Sequence, residues 1–186
     1  MNRSTPPVLA VIGPSGSGKS TLVRRLAERG LVRLHPTYTT RPTRPDEHRP
    51  GAAPEHVFCS DAEFDRLERS GHFFRVARPF GLPFRYGLPR FSPSPAGPVD
   101  CVMLRAPFVE DFKALVPAVV VYQIEVDAER ARRRMMMRGD AAPVTEARLH
   151  RFGSELVAGR RLADRTFVND GPLDDLVNAV AQDLAA

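Results

Sequence analysis

The sequence predicts an α/β fold built on a parallel sheet, and three observations carry that prediction. Apolar runs rich in β-branched residues recur in both halves of the chain, segments with helical spacing follow them, and glycines stand where those helices must stop. With 186 residues, 42% hydrophobic and 26% charged, the chain is expected to form one domain with a buried core.

In chain order, Val8–Ile12 is a continuous apolar run between Pro7 and Gly13, the pattern of a strand buried on both faces. Residues 18–28 read as a helix, since Leu22, Val23 and Leu26 fall on one face and Gly30 sits where a C-terminal cap belongs. Ser60 and Glu63 form a capping box that opens a short helix through Arg69, with Phe64 and Leu67 on one side and Gly71 closing it. Residues 99–105 and 119–126 are two further buried strands. The second leads at Asp127 into a cationic helix that runs to Arg138 and stops at Gly139. One long amphipathic helix over residues 145–161, a strand Arg165–Val168 and a last helix over residues 172–184 complete the chain. Residues 35–56, dense in Thr, Arg and Pro, and residues 79–98, rich in Pro, read as loops. The first is expected to be a functional surface, and residues 91–98 a plain linker.

Composition narrows the function classes. No apolar stretch approaches the roughly 20 residues that a bilayer requires, and the N-terminal residues lack a secretory h-region, so a soluble, cytoplasmic protein is expected. Cys59 and Cys101 lack the paired spacing of a zinc site and read as buried free thiols. The net charge of +5 points to anionic partners. Of 27 basic residues only Lys19 and Lys113 are lysines, leaving 25 arginines, so a lysine here calls for a reason.

Lys19 has one. Gly13-Pro14-Ser15-Gly16-Ser17-Gly18-Lys19-Ser20 fits the Walker A pattern, in which a glycine-rich loop turns backbone N–H groups onto the phosphates of a nucleotide. The motif falls between a predicted strand and a predicted helix, which places the anion at a positive helix N-terminus. Lys19 would reach the β- and γ-phosphates, a task for a compact ammonium more than for a planar guanidinium. The Ser20 hydroxyl would hold Mg²⁺, with Thr21 next to it at the start of the helix. ATP and Mg²⁺ are therefore the expected cofactors.

Beyond this loop, residues 37–47 (Thr-Tyr-Thr-Thr-Arg-Pro-Thr-Arg-Pro-Asp-Glu) resemble the acceptor-binding segment of guanylate kinases, Ser-x-x-Thr-Arg-x-x-Arg-x-x-Glu. Val57-Phe58-Cys59-Ser60, Gly71-His72-Phe73-Phe74, Tyr86-Gly87, Arg134 with Arg138-Gly139, Arg148-Leu149 and Val168-Asn169-Asp170 continue the resemblance in order. It implies a P-loop NTPase three-layer sandwich of the nucleoside-monophosphate-kinase type with small acceptor-binding and lid insertions. Residues 8–34 would form the phosphate loop and core, 35–90 the acceptor-binding insertion, and 99–186 the rest of the core, with a lid at about 138–148. Arg41 and Arg44 would grip the acceptor's phosphate as bidentate forks, with Glu47 steadying them. Thr37, His56 and Tyr86 would complete the acceptor pocket, Asn169 would lie against the nucleotide, and Arg134, Arg138 and Arg148 would close over the γ-phosphate. Arg134 has a plainer reading beside this one, with Arg132: a cationic helix face that complements the helix dipole.

The departures from that pattern concern base recognition. The Glu that reads guanine is replaced by Arg75, and a guanidinium has no acceptor for the N1–H and N2–H donors of guanine. The strand-end Asp-x-Asp of the family is replaced by Leu104 and Ala106, and its phosphate-contacting Tyr and first Ser by His56 and Thr37. The ribose 1,5-bisphosphate phosphokinases, a related branch, also lack the guanine-reading Glu, and this sequence is similar to them in the Arg75 and Ala106 changes, in the extra positive charge of Arg75 and Arg105, and in its Val-Asn-Asp-Gly-Pro-Leu ending. Retained Arg44 follows the guanylate-kinase manner. The expected activity is ATP-dependent phosphorylation of a small phosphorylated acceptor, a ribose 1,5-bisphosphate-like sugar phosphate ahead of GMP. A non-catalytic phosphopeptide-binding module of the same family is the alternative from another class. Nucleic acid and membrane are not expected partners.

Overall fold

The computed structural model describes residues 8–43, 47, 54–90, 92–94 and 96–185. Its centre is a five-stranded sheet of β1 (Val8–Ile12), β2 (Val32–His35), β7 (Val99–Met103), β8 (Val119–Glu125) and β9 (Arg165–Val168), in the order β2-β7-β1-β8-β9. Every pairing in it is parallel, with Val8 of β1 opposite Asp100 on one side and Val119 on the other. The alternation of side chains along β1 supplies both layers of the core. Leu9 and Val11 point to a face covered by α1 (Lys19–Glu28) and α7 (Leu173–Ala185), through Leu22, Val23, Leu26, Val177 and Val180. Val8, Ala10 and Ile12 point to the opposite face, against Val109 and Phe112 of α3 (Val109–Leu115). All five β1 side chains are fully buried. At roughly 1.5–3 kcal/mol for each large aliphatic, this strand anchors the loop that leaves its end.

The expected caps are present. The Ser60 hydroxyl accepts from the Glu63 N–H at 3.2 Å to open α2 (Asp61–Arg69), and Asp127 accepts from the Arg130 N–H to open α4 (Ala128–Met137). Strand β9 has the bounds read from the sequence.

Three expectations are corrected. Residues 35–56 and 79–98 are not simply loops: β3 (Thr37–Thr39) and β6 (Tyr86–Pro89) lie within them and join β4 (His56–Phe58) and β5 (Phe73–Ala77) in a second, four-stranded sheet in the order β4-β3-β6-β5. Edge strand β2 was likewise not foreseen, because its four residues alternate too briefly to declare a period. The long C-terminal helix is two, α5 (Ala142–His150) and α6 (Phe152–Leu162). At Arg151 the chain tightens, its N–H bonding to Arg148 O three residues back, and the bend lets Phe152 enter a small core with Val126, Ala131 and Met135. α5 also starts earlier than expected, since Pro143 in a first turn lacks only an N–H that would have had no helical partner there. Within residues 91–98, Ser94 is tied down through its N–H to the Asp100 carboxylate at 2.5 Å.

Among the described residues no helix is long and apolar enough to cross a membrane. The chain leaves β1 through α1 toward edge strand β2, whereas β8 lies on the other side of β1. That reversal opens a crevice at the C-terminal ends of β1 and β8, the position where open parallel sheets hold ligands.

Candidate active site

The crevice is a cavity of about 830 Å³ bounded by the phosphate loop, the second sheet and the segment from α4 to α6. Of the residues assigned from the sequence to nucleotide, metal, acceptor or lid, all but Ser17 and Arg44 line it. Ser17 is fully buried beneath the loop, and Arg44 lies outside the described residues.

The phosphate loop connects β1 to α1, and no acidic side chain sits in the first turn of α1 to neutralise its positive end. Gly18 caps the helix at φ 93°, and a Cβ there would fall 2.2 Å from Asn169 Nδ2. Only glycine meets both constraints. Asn169 is buried after β9, where its N–H bonds to Glu125 O at 2.8 Å while its Nδ2 donates to Ser17 O at 2.7 Å, so the end of the sheet braces the loop. Arg134 adds a second brace, donating to Gly16 O at 3.3 Å and Ser17 O at 3.5 Å and to both oxygens of Asn169. Its guanidinium thus binds the loop itself.

The Lys19 ammonium donates to Gly13 O at 2.7 Å, Pro14 O at 2.9 Å and the Ser17 hydroxyl at 3.4 Å. Burial pulls its pKa down to about 8; Glu155 opposes the shift, while Arg138, Arg105 and Arg148 add to it. With a pKa of about 8 the ammonium still holds its proton at neutral pH, on a wall it shares with Arg105, Arg138 and Arg148.

Arg138, on the turn after α4, and Arg148, on α5, converge on Asp140. Arg138 donates to its carboxylate through Nε at 3.0 Å and Nη2 at 2.6 Å, and Arg148 through Nη1. Asp140 escaped the sequence reading, although an acid directly after the glycine that stops an arginine-rich helix was the available signal. Glu155 escaped it too. It is mostly buried on α6 and accepts from Arg105 Nε at 3.2 Å.

On the side of the second sheet, Arg41 is buried and grips Glu47 with both Nη groups, one of them at 2.7 Å from Oε2, beneath the Phe58 ring at 5.1 Å. Burial works against its charge, but Glu47 and Tyr86 outweigh it and hold the pKa above the ordinary arginine value. Thr37 Oγ1 and His56 Nδ1 lie 2.7 Å apart, across a register pair of β3 and β4. Tyr86, on β6, packs edge-on to His56. Arg75 extends from β5 over the Phe108 ring and is ion-paired with Asp111 of α3. Leu104 and Ala106 are buried and apolar at the end of β7, and Met103 Sδ lies 3.9 Å from the Ser20 hydroxyl.

No group of three or more His, Cys, Asp or Glu side chains able to hold a metal occurs among the described residues. A single hydroxyl beside a phosphate cradle fits Mg²⁺ carried mainly by the oxygens of a nucleotide and water, and does not fit an all-protein cage.

A glycine-rich loop of Walker A pattern at the switch point of a parallel sheet, facing a cavity lined by Arg41, Arg138 and Arg148, is the arrangement of the P-loop kinase class of fold. No family model matches the chain. Over 94 residues it is 36% identical to a guanylate kinase of Thermosynechococcus vestitus, spanning 48% of this chain and about half, 47%, of that protein. The solved guanylate kinase from Anaplasma phagocytophilum superposes with a TM-score of 0.70 at 21% identity, covering 98% of this chain and 86% of that one. A gluconokinase from Sinorhizobium meliloti 1021 gives a TM-score of 0.54 at 15% identity over 98% of this chain and 94% of its own. Shikimate kinase from Acinetobacter baumannii, in complex with shikimate, gives 0.50 at 15% identity over 96% and 93%. The fold is that of the guanylate-kinase-like P-loop kinases.

Proposed function

We propose that this chain is an ATP-dependent phosphotransferase that passes the γ-phosphoryl group of ATP to a small phosphorylated acceptor. One observation carries the proposal: Lys19, the Arg41–Glu47 clamp and the Arg138–Arg148 pair face a single cavity from three sides. Phosphoryl transfer demands alignment and charge neutralisation more than covalent chemistry, and this layout supplies both. The loop N–H groups and Lys19 would bind the triphosphate tail. Arg41, held rigid by Glu47, would fix the acceptor through its existing phosphate, with Arg44 as the second fork. Arg138 and Arg148 would stabilise the charge spread over the equatorial oxygens during in-line transfer. Ser20 would hold Mg²⁺, which supplies further charge neutralisation when bound.

The favoured acceptor is a sugar phosphate of the ribose 1,5-bisphosphate type. What supports this is the replacement of guanine-reading carboxylates by Arg75, Leu104 and Ala106, while the phosphate-gripping residues stay. GMP is the second reading, supported by the 36% identity to a guanylate kinase and by the pairing of Arg75 with Asp111, which removes much of the extra positive charge at that wall. The test is to incubate purified protein with MgATP and each of ribose 1,5-bisphosphate, GMP, dGMP and AMP while following ADP release. Release with the sugar bisphosphate alone supports the favoured acceptor, and release with GMP alone replaces it. Tight ATP binding without release for any acceptor would favour a non-catalytic binding module.

A further inference from the structure

We propose that Asp140 is the positioning residue that sets two arginines of the lid as one preorganised unit, an inference that rests on the proposed phosphotransfer. The Asp140 side chain is 2% exposed, and its Oδ2 accepts from Arg138 Nε and Nη2 and from Arg148 Nη1. Arg148 is itself buried, with 8% of its side chain exposed, so neither partner of that pair is a solvated surface group. Two guanidinium groups on adjacent elements would repel one another if brought together alone, and one buried carboxylate between them removes much of that repulsion. Both arginines also line the cavity. Each planar fork has five N–H donors, so a fork can be held by Asp140 on one edge and meet a phosphoryl oxygen with another.

Cations aimed beforehand at the place where charge develops act on the transition state more than on the bound substrate. Asp140→Asn, nearly isosteric, should therefore lower kcat by about 10²-fold while the KM for ATP and for the acceptor stays within about threefold. It should leave MgADP affinity unchanged and weaken the ADP–aluminium fluoride complex, a mimic of the transferring phosphoryl group, by a similar factor. A merely structural acid would not separate those two affinities. In an Arg138→Ala/Arg148→Ala background, Asp140→Asn should add no further loss of kcat. Asp140→Glu keeps the charge but displaces the carboxylate, and should lose kcat with an unchanged melting midpoint, which keeps the inference testable if the Asn variant does not fold.

Equal affinity of wild type and Asp140→Asn for ADP–aluminium fluoride would overturn the inference, as would a full additional loss in the arginine-free background. If the wild-type protein transfers phosphate to no acceptor, the proposed function fails on its own. The two ADP affinities still decide the role of Asp140, because they are read without turnover.

Discussion

Lys19→Met separates what the phosphate loop does for binding from what it does to stability. The substitution preserves side-chain length and removes an ammonium whose pKa burial lowers from 10.5 to about 8. At about 1.4 kcal/mol per pKa unit, carrying that charge at neutral pH costs the unliganded fold roughly 3 kcal/mol. Against this stand the bonds from Nζ to Gly13 O and Pro14 O, worth about 1 kcal/mol each at most where water can replace them at a cavity wall. The variant should therefore be more stable than wild type by about 1–2 kcal/mol at pH 7, raising the melting midpoint by roughly 2–8 °C for a chain of this size. Nucleotide binding and transfer should meanwhile fall by several orders of magnitude. The pH dependence supplies an independent check. Below pH 8 the folded and unfolded chains both hold the proton and the penalty is constant; between 8 and 10.5 the unfolded chain alone holds it. Wild-type stability then rises with pH through that window, and its deficit relative to Lys19→Met closes. The assay is denaturant unfolding of both proteins from pH 7 to 10. A variant less stable than wild type, or a gap that does not change with pH, would refute the reasoning.

Three further outcomes are expected. Arg41→Lys keeps the charge but loses the bidentate hold on Glu47, so the KM for the acceptor should rise about 10–100-fold with little change in the KM for ATP, read by steady-state kinetics. Gly159→Ala on α6 would place a Cβ 1.5 Å from Oε1 of the buried Gln123, and should destabilise the protein by about 2–4 kcal/mol in urea unfolding. Burial pushes the Asp100 carboxyl upward, but the Ser94 N–H, His35 at 2.8 Å and Arg33 outweigh it and hold its pKa below the ordinary carboxylate value of 3.8. The stability it contributes is present at neutral pH and is lost as acidification passes through that lowered value, so Asp100→Asn should cost about 2 kcal/mol at pH 7 and remove that part of the acid sensitivity.

Much of this protein was legible in the sequence because it is written in local spacing. The apolar run of β1, the Ser60–Glu63 cap, the bounds of β9 and the phosphate loop between strand and helix each depend on residues a few positions apart. Steric and hydrogen-bonding rules act at that range, so spacing alone determined those elements and named Lys19 and Ser20. The second sheet was hidden because strands of three to five residues show no period of their own and are held by register with one another. Charge was the other thing only the tertiary structure decided. Arg75 and Arg105 look like surplus positive charge in the sequence, yet their partners Asp111 and Glu155 stand 36 and 50 positions away, and Asn169 braces Ser17 from 152 positions away. Coulomb attraction depends on distance in space and on burial, which no spacing along the chain encodes; folding therefore decided which arginines are neutralised by a neighbouring acid and which form the shared unit at Asp140.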